Sequence, residues 1–186
     1  MFISSLDALE DDENTEVIVL VSKPPHPEVL KRINEKLREI SKPVICVFLG
    51  ADSSLLEDSG TFTAETLEEA ALLACAVVDN VETSKVKEFL EERRKDFGKI
   101  VSDEVKKISL GRKYIRGLFS GGTLCDEAQI ILKKDSNNIF SNRISEDIFT
   151  LADSWISKEH TLVDLGEDEF TVGRLHPMID FDLRNK

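Results

Sequence analysis

Val17-Ile18-Val19-Leu20-Val21 is a continuous apolar run, mostly β-branched, that ends at Ser22-Lys23-Pro24-Pro25. A run of this kind reads as a strand buried on both faces, the habit of a central strand in a parallel sheet. Downstream, Val29, Leu30, Ile33, Leu37 and Ile40 recur at helical spacing between charged residues, and Pro43 closes the pattern. Residues 44–49 form a second apolar run that stops at Gly50; the polar segment 51–63 follows, and 66–78 is rich in the helix formers Ala, Leu and Glu. Strand, helix, strand, loop, helix requires a parallel sheet with right-handed crossovers covered by helices. The expected fold class is therefore α/β, flavodoxin-like or Rossmann-like, with parallel sheets flanked by helices.

No internal repeat is evident, although a second unit also begins as strand followed by helix. Residues 83–108 are highly charged, with Val86, Phe89, Leu90, Phe97, Ile100, Val101, Val105 and Ile108 at mixed helical intervals, which predicts bridging helices. Residues 114–119 read as a strand, Ser120-Gly121-Gly122-Thr123 as its turn, and the segment through Leu132 as a helix. Residues 160–165 and 170–172 read as short strands flanking the acidic turn Gly166-Glu167-Asp168-Glu169. The domain organisation expected is a first unit over 1–82, a helical linker over 83–110 and a second strand-glycine-helix unit over 111–186.

Composition narrows the function. The chain has 186 residues, 41% of them hydrophobic, which is enough for a buried core. Its formal net charge of −12 argues against nucleic acid, because phosphate backbones are held by clustered Lys and Arg. No stretch approaches the roughly 20 apolar residues that span a bilayer, and the first residues lack a basic signal-like region. These features predict a soluble cytoplasmic protein. Cys46, Cys75 and Cys125 are odd in number and widely spaced, which fits a reducing compartment and offers no zinc motif.

Four places carry candidate chemistry. Ser120-Gly121-Gly122-Thr123 stands where a strand turns into a helix, so backbone N–H groups there can converge on a phosphate; the same tetrad also reads as a plain glycine turn. Cys125, in the first turn of that helix, is either a dipole-activated nucleophile or a buried inert thiol. Asp126 and Glu127 complement the helix start but repel an anion. The stretch from Asp164 to Asp180 concentrates carboxylates with Arg174 and His176. There Arg174 can grip an oxyanion, His176 can move protons, and Asp180 or Asp182 can orient it or bind a metal; the alternative is an acidic surface turn. His26, between Pro25 and Pro27, is either a ligand-edge residue or part of a rigid helix cap. His160 has no evident companion.

Three blocks resemble the FdrA family in family order: Val19-Leu20-Val21-Ser22-Lys23-Pro24-Pro25, then Arg116-Gly117-Leu118-Phe119-Ser120-Gly121-Gly122-Thr123-Leu124-Cys125, then the Asp164 to Asp180 stretch. That family is similar to the α subunit of succinyl-CoA synthetase, in which a CoA-binding Rossmann domain precedes flavodoxin-like ligase domains. The resemblance implies a phosphate-facing helix start at Ser120, Gly121, Gly122 and Thr123, with Arg174 and His176 shaping the site. It implies an acyl or carbamoyl phosphate as substrate, and a component of an oxamate carbamoyltransferase-type activity in allantoin (ureide) breakdown. For an intact member it implies CoA or ATP with Mg as cofactors and partner subunits or a homo-oligomer. Two departures stand out. The glycine-rich Rossmann half is not found before Met1, and residues 50–63, where the synthetase relatives carry a phosphorylated histidine, contain no histidine. A phosphohistidine route is therefore not expected, and the rival expectation is a non-catalytic, partner-docking subunit with a decayed ligase site.

Overall fold

The computed structural model describes residues 2–51, 56, 60–143, 148–179 and 181–185. They form two compact units, 1–107 and 108–186. Both are parallel sheets flanked by helices.

The first unit opens with α1 (Phe2–Asp11), which the sequence reading did not foresee, followed by β1 (Ile18–Ser22), α2 (Pro27–Leu37), β2 (Val44–Phe48), β3 (Phe62–Thr63) and α3 (Leu67–Val78). The sheet order is β1-β2-β3, all parallel, with Ile18 opposite Val44 and Ile45 opposite Phe62. Every residue of β2 is buried, whereas β1 buries Ile18 and Leu20 but leaves Val19 and Val21 about 40% exposed. The central strand is thus β2, and the expectation that β1 is central and doubly buried is corrected. A β-branched run reads alike whether one face is covered or two, so periodicity alone does not separate the cases.

The α2 stripe of Leu30, Ile33 and Leu37 packs with Leu6, Ile18, Leu20, Val44, Cys46 and Phe48 into one core. His26 caps α2: its Nδ1 accepts from the Glu28 amide at 3.4 Å, and Pro27 takes the first helical position, where no N–H is needed. The capping alternative for His26 therefore holds. Lys42 holds the end of α1 by donating to the carbonyl oxygens of Leu9 (2.7 Å) and Asp12 (2.6 Å). A single 22-residue helix, α4 (Ser84–Val105), completes the unit, with Val86 its only buried residue among those described.

The second unit runs β4 (Arg116–Phe119), α5 (Gly122–Lys133), β5 (Ile139–Ser141), β6 (Phe149–Thr150), β7 (His160–Asp164), α6 (Asp168–Thr171) and a 3-10 turn at Leu183–Asn185. Residues 170–172, expected as a strand, instead end a short helix. Asp168 and Glu169 occupy its first turn, where negative charge complements the helix dipole, and this outweighs the β propensity of Thr171 and Val172.

The sheet order β4-β7-β5-β6 inserts the last strand between the first and the second. Thr161 to Asp164 are all buried. One sheet face packs Ile139 and Leu162 on Cys125, Ala128 and Leu132 of α5. The other gathers Phe140, Leu151, Val163, Leu165 and Phe170, with Leu183 against them. Parallel pairing places Phe119 beside Asp164 and Ser141 beside Leu162, so three strands deliver their carboxyl ends to one edge. That is the edge at which open parallel sheets bind ligands.

Leu162 is 1% exposed at the centre of this sheet, while Leu118 on the edge strand is 65% exposed. Leu162→Ala is expected to cost ~2–5 kcal/mol, and Leu118→Ala within about 0.5 kcal/mol. Urea unfolding followed by circular dichroism checks the contrast; equal losses would contradict the layer assignment.

Candidate functional site

Phe119 ends β4, and the chain passes through Ser120 and Gly121 into α5 at Gly122. Gly121 is extended, with φ −179° and ψ 139°, and a Cβ added there meets nothing. Any residue adopts this conformation, so Gly121, expected to take a special backbone angle, does not need to be glycine. Gly122 is different. A Cβ on it would lie 2.5 Å from Cζ and 2.8 Å from Nη2 of Arg143, so glycine is needed for the guanidinium to rest on the helix start.

Arg143 lies two residues past the end of β5. Its fork grips Asp126 bidentately, Nε to Oδ1 at 2.9 Å and Nη2 to Oδ2 at 3.2 Å. Nη1 donates to Asp164 Oδ2 at 2.9 Å and also to Glu167. Burial opposes the guanidinium charge, but the Asp126 hydrogen bond and the three carboxylates outweigh it and raise the Arg143 pKa above the ordinary arginine value. One side chain thus ties together α5, the end of β7 and the loop before α6.

Neighbouring residues hold this arrangement in register. The Asn142 side chain donates to the Asp164 carbonyl and accepts from the Asp164 amide, both at 2.9 Å, extending the β5–β7 ladder by one amide group. Asp164 Oδ1 accepts from the Gly166 amide at 2.8 Å, which turns the chain after β7. Gln129, 2% exposed, donates to Ser141 Oγ at 2.9 Å, and that hydroxyl accepts from the Arg143 amide at 3.1 Å.

The first-turn amides of α5 belong to Gly122, Thr123 and Leu124. None donates to a protein group among the described residues, and no side chain caps the helix. Three unspent N–H groups therefore lie beside the Arg143 cation. The same place holds three carboxylates against that one guanidinium, so any anion must compete with them.

His176 reaches this edge from the chain beyond α6. Its Nδ1 accepts from the Met178 amide at 3.2 Å, which leaves the proton of the neutral ring on Nε2. Nε2 stands 3.2 Å from the position of a Cβ on Gly166, where Asp164 Oδ1 also lies, at 3.0 Å. Arg174 is exposed, and its side chain makes no hydrogen bond or ion pair with the described residues. Asp180 lies outside the described residues, and Asp182 is exposed. His160, without a foreseen companion, accepts from the Ile115 amide at 3.3 Å and meets Tyr114 edge-on.

The central residue, Arg143, was missed by sequence reasoning. Its one signal is position, as a lone Arg in Ser141-Asn142-Arg143 just past the apolar Ile139-Phe140. A two-residue apolar signal does not announce a strand.

Cys125 settles on its inert alternative. It is 0% exposed, and burial pushes its thiol up to about 11, against the expected pull of the helix dipole. Cys46 is likewise pushed up to about 11 by burial. Cys75 is exposed. Iodoacetamide at pH 8 is expected to modify Cys75 in the native protein and the other two only after unfolding, because a thiol near 11 is about one part in a thousand thiolate there. Peptide mass mapping reads the outcome; native labelling of Cys125 would restore the nucleophile reading.

Comparison with known proteins agrees with this architecture. Residues 118–185 match the family model described as CoA-ligase, so the second unit is similar to a CoA-ligase domain, the succinyl-CoA synthetase-like class. The chain is 37% identical over 180 residues to the uncharacterized protein YahF of Escherichia coli strain K12. That alignment covers 97% of this chain and 34% of YahF, so the chain spans about a third of the length of the curated relative it matches. Among the described residues, no helix is long and apolar enough to cross a membrane.

Proposed function

We propose that this chain is the ligase portion of an FdrA-like protein that handles an acyl or carbamoyl phosphate, as a component of an oxamate carbamoyltransferase-type activity in allantoin breakdown. The observation that carries the reading is the set of unspent amides of Gly122, Thr123 and Leu124 beside the Arg143 guanidinium. Its other supports are the CoA-ligase match of residues 118–185 and the FdrA-like blocks at Arg116 to Cys125 and Asp164 to Asp180.

In this reading the phosphoryl group of the mixed anhydride sits on the α5 amides, with Ser120 and Thr123 as further donors. The amide nitrogen of the acceptor, oxamate, attacks the carbonyl carbon. The new C–N bond forms, the C–O bond to phosphorus breaks, inorganic phosphate leaves and the nitrogen loses a proton. That proton passes to the departing phosphate, to which His176 Nε2–H donates a hydrogen bond, and Arg174 steers the acceptor carboxylate. Donors fixed before the reaction stabilise charge developing on the phosphoryl oxygens, which is where such sites gain most. This transfer requires neither CoA nor ATP with Mg.

Glu167 is the carboxylate that an incoming phosphoryl group displaces. Its side chain is 38% exposed, against 9% for Asp126 and 2% for Asp164, so it alone can swing into water at small cost. Glu167→Gln is expected to tighten carbamoyl phosphate binding by ~3- to 10-fold, the size of one removed like-charge contact at a partly exposed site. Isothermal titration of both proteins with carbamoyl phosphate tests this; heat from neither overturns the reading.

A second reading rests on the same cluster. Arg143 is already saturated by three carboxylates, which suits a scaffold that docks partner subunits and has lost its ligand. A folded protein that binds neither carbamoyl phosphate nor inorganic phosphate supports that alternative.

A further inference from the structure

The sheet face opposite α5 is incompletely covered. Arg116, Leu118, Trp155, Val163, Phe170 and Leu183 line a cavity of about 140 Å³ there, within the second unit. Its floor is firm, with Val163 and Phe170 at 3% and 2% exposure. Its walls are not sealed: Leu118 is 65% and Trp155 59% exposed, so two large apolar side chains stand in water beside an apolar floor. Trp155 is braced edge-on against Phe170, ring centroids 5.6 Å apart. Apolar surface left open around a concave site marks a place that something covers.

Arg116 identifies the chemistry of the occupant. Its guanidinium lies over the Tyr114 ring at 5.5 Å and donates to the carbonyl oxygens of Ile115, at 3.5 Å, and Glu159. Among the described residues no carboxylate pairs with it. Arg143, a short distance along the sequence, has three. In a chain with a net charge of −12, an arginine at the mouth of an apolar cavity that no acid among the described residues neutralises is poised for an external anion.

We propose that this cleft binds a compact apolar monocarboxylate, its carboxylate on Arg116 and its hydrocarbon body against Trp155, Leu118 and Val163. The volume suits a body of about six carbons, since a cavity of ~150 Å³ accepts benzene. A guanidinium presents parallel N–H donors that match the planar carboxylate, while among the described residues that line the cavity there is no further cation for a second negative charge. The site is independent of the α5 helix start, because α5 packs on the other face of the sheet.

Trp155 is the only tryptophan of the chain, so its fluorescence reports on this cleft alone. Titration of the intact chain with pivalate is expected to give a saturable change, with the neutral isostere pivalamide at least ~10-fold weaker for want of the charge-assisted hydrogen bonds. Arg116→Gln should reduce pivalate affinity to that of pivalamide and leave pivalamide binding unchanged, a control that a general loss of folding would fail. Equal responses to acid and amide, a response to inorganic phosphate but not to pivalate, or no response to any of them would overturn the assignment.

Discussion

The second unit depends on one guanidinium. Arg143 leaves the end of β5, crosses the first residue of α5, and bonds to carboxylates from the helix, the β7 terminus and the loop before α6. Asp126 and Asp164 are buried, so removing their cation would leave two charges with nowhere to go. Breaking such a buried pair typically costs ~3–5 kcal/mol. Gly122 follows from this contact, because any side chain there would occupy the volume of the guanidinium.

The strand order explains why this one residue can reach so much. Inserting β7 between β4 and β5 brings the carboxyl ends of three strands together, although they are far apart in sequence. Asn142 continues the hydrogen-bond ladder where β5 stops, and Gln129 with Ser141 fixes the backbone of Arg143. The site is thus set by buried polar bonds on rigid elements, which hold a geometry more closely than loops can. Among the described residues it leaves the α5 amides without a protein partner while the cation beside them is held by acids, and in the proposed reading an anion enters only as Glu167 yields.

Much of the fold was legible in the residues. The helical stripe of α2 carries a strong periodic signal and β2 a continuous apolar run, and the structure follows both. Short elements were not legible: β3 and β6 have two residues each, and β5 three, too few to show a period. The β1 run gave its type correctly but not its place in the sheet, because the sequence of one strand does not record what covers its second face. At the site, the Gly122 position and His176 could be singled out from motif and chemistry. Arg143 could not, since its role exists only once the β7 insertion brings Asp126, Asp164 and Glu167 around it. The Cys125 reading turned on the same difficulty: a helix start favours the thiolate, and the desolvation that overrides it depends on Ile139 and Leu162 packed above.

The central claim is that the amides opening α5 receive an anion beside Arg143. Nitrogen–proton correlation spectra of the labelled chain, recorded during titration with carbamoyl phosphate, address it at the atoms concerned. Saturable shifts are expected, led by the amides of Gly122, Thr123 and Leu124 together with the Arg143 side-chain Nε–H. Spectra in which those four signals stay fixed while the protein remains folded would contradict it.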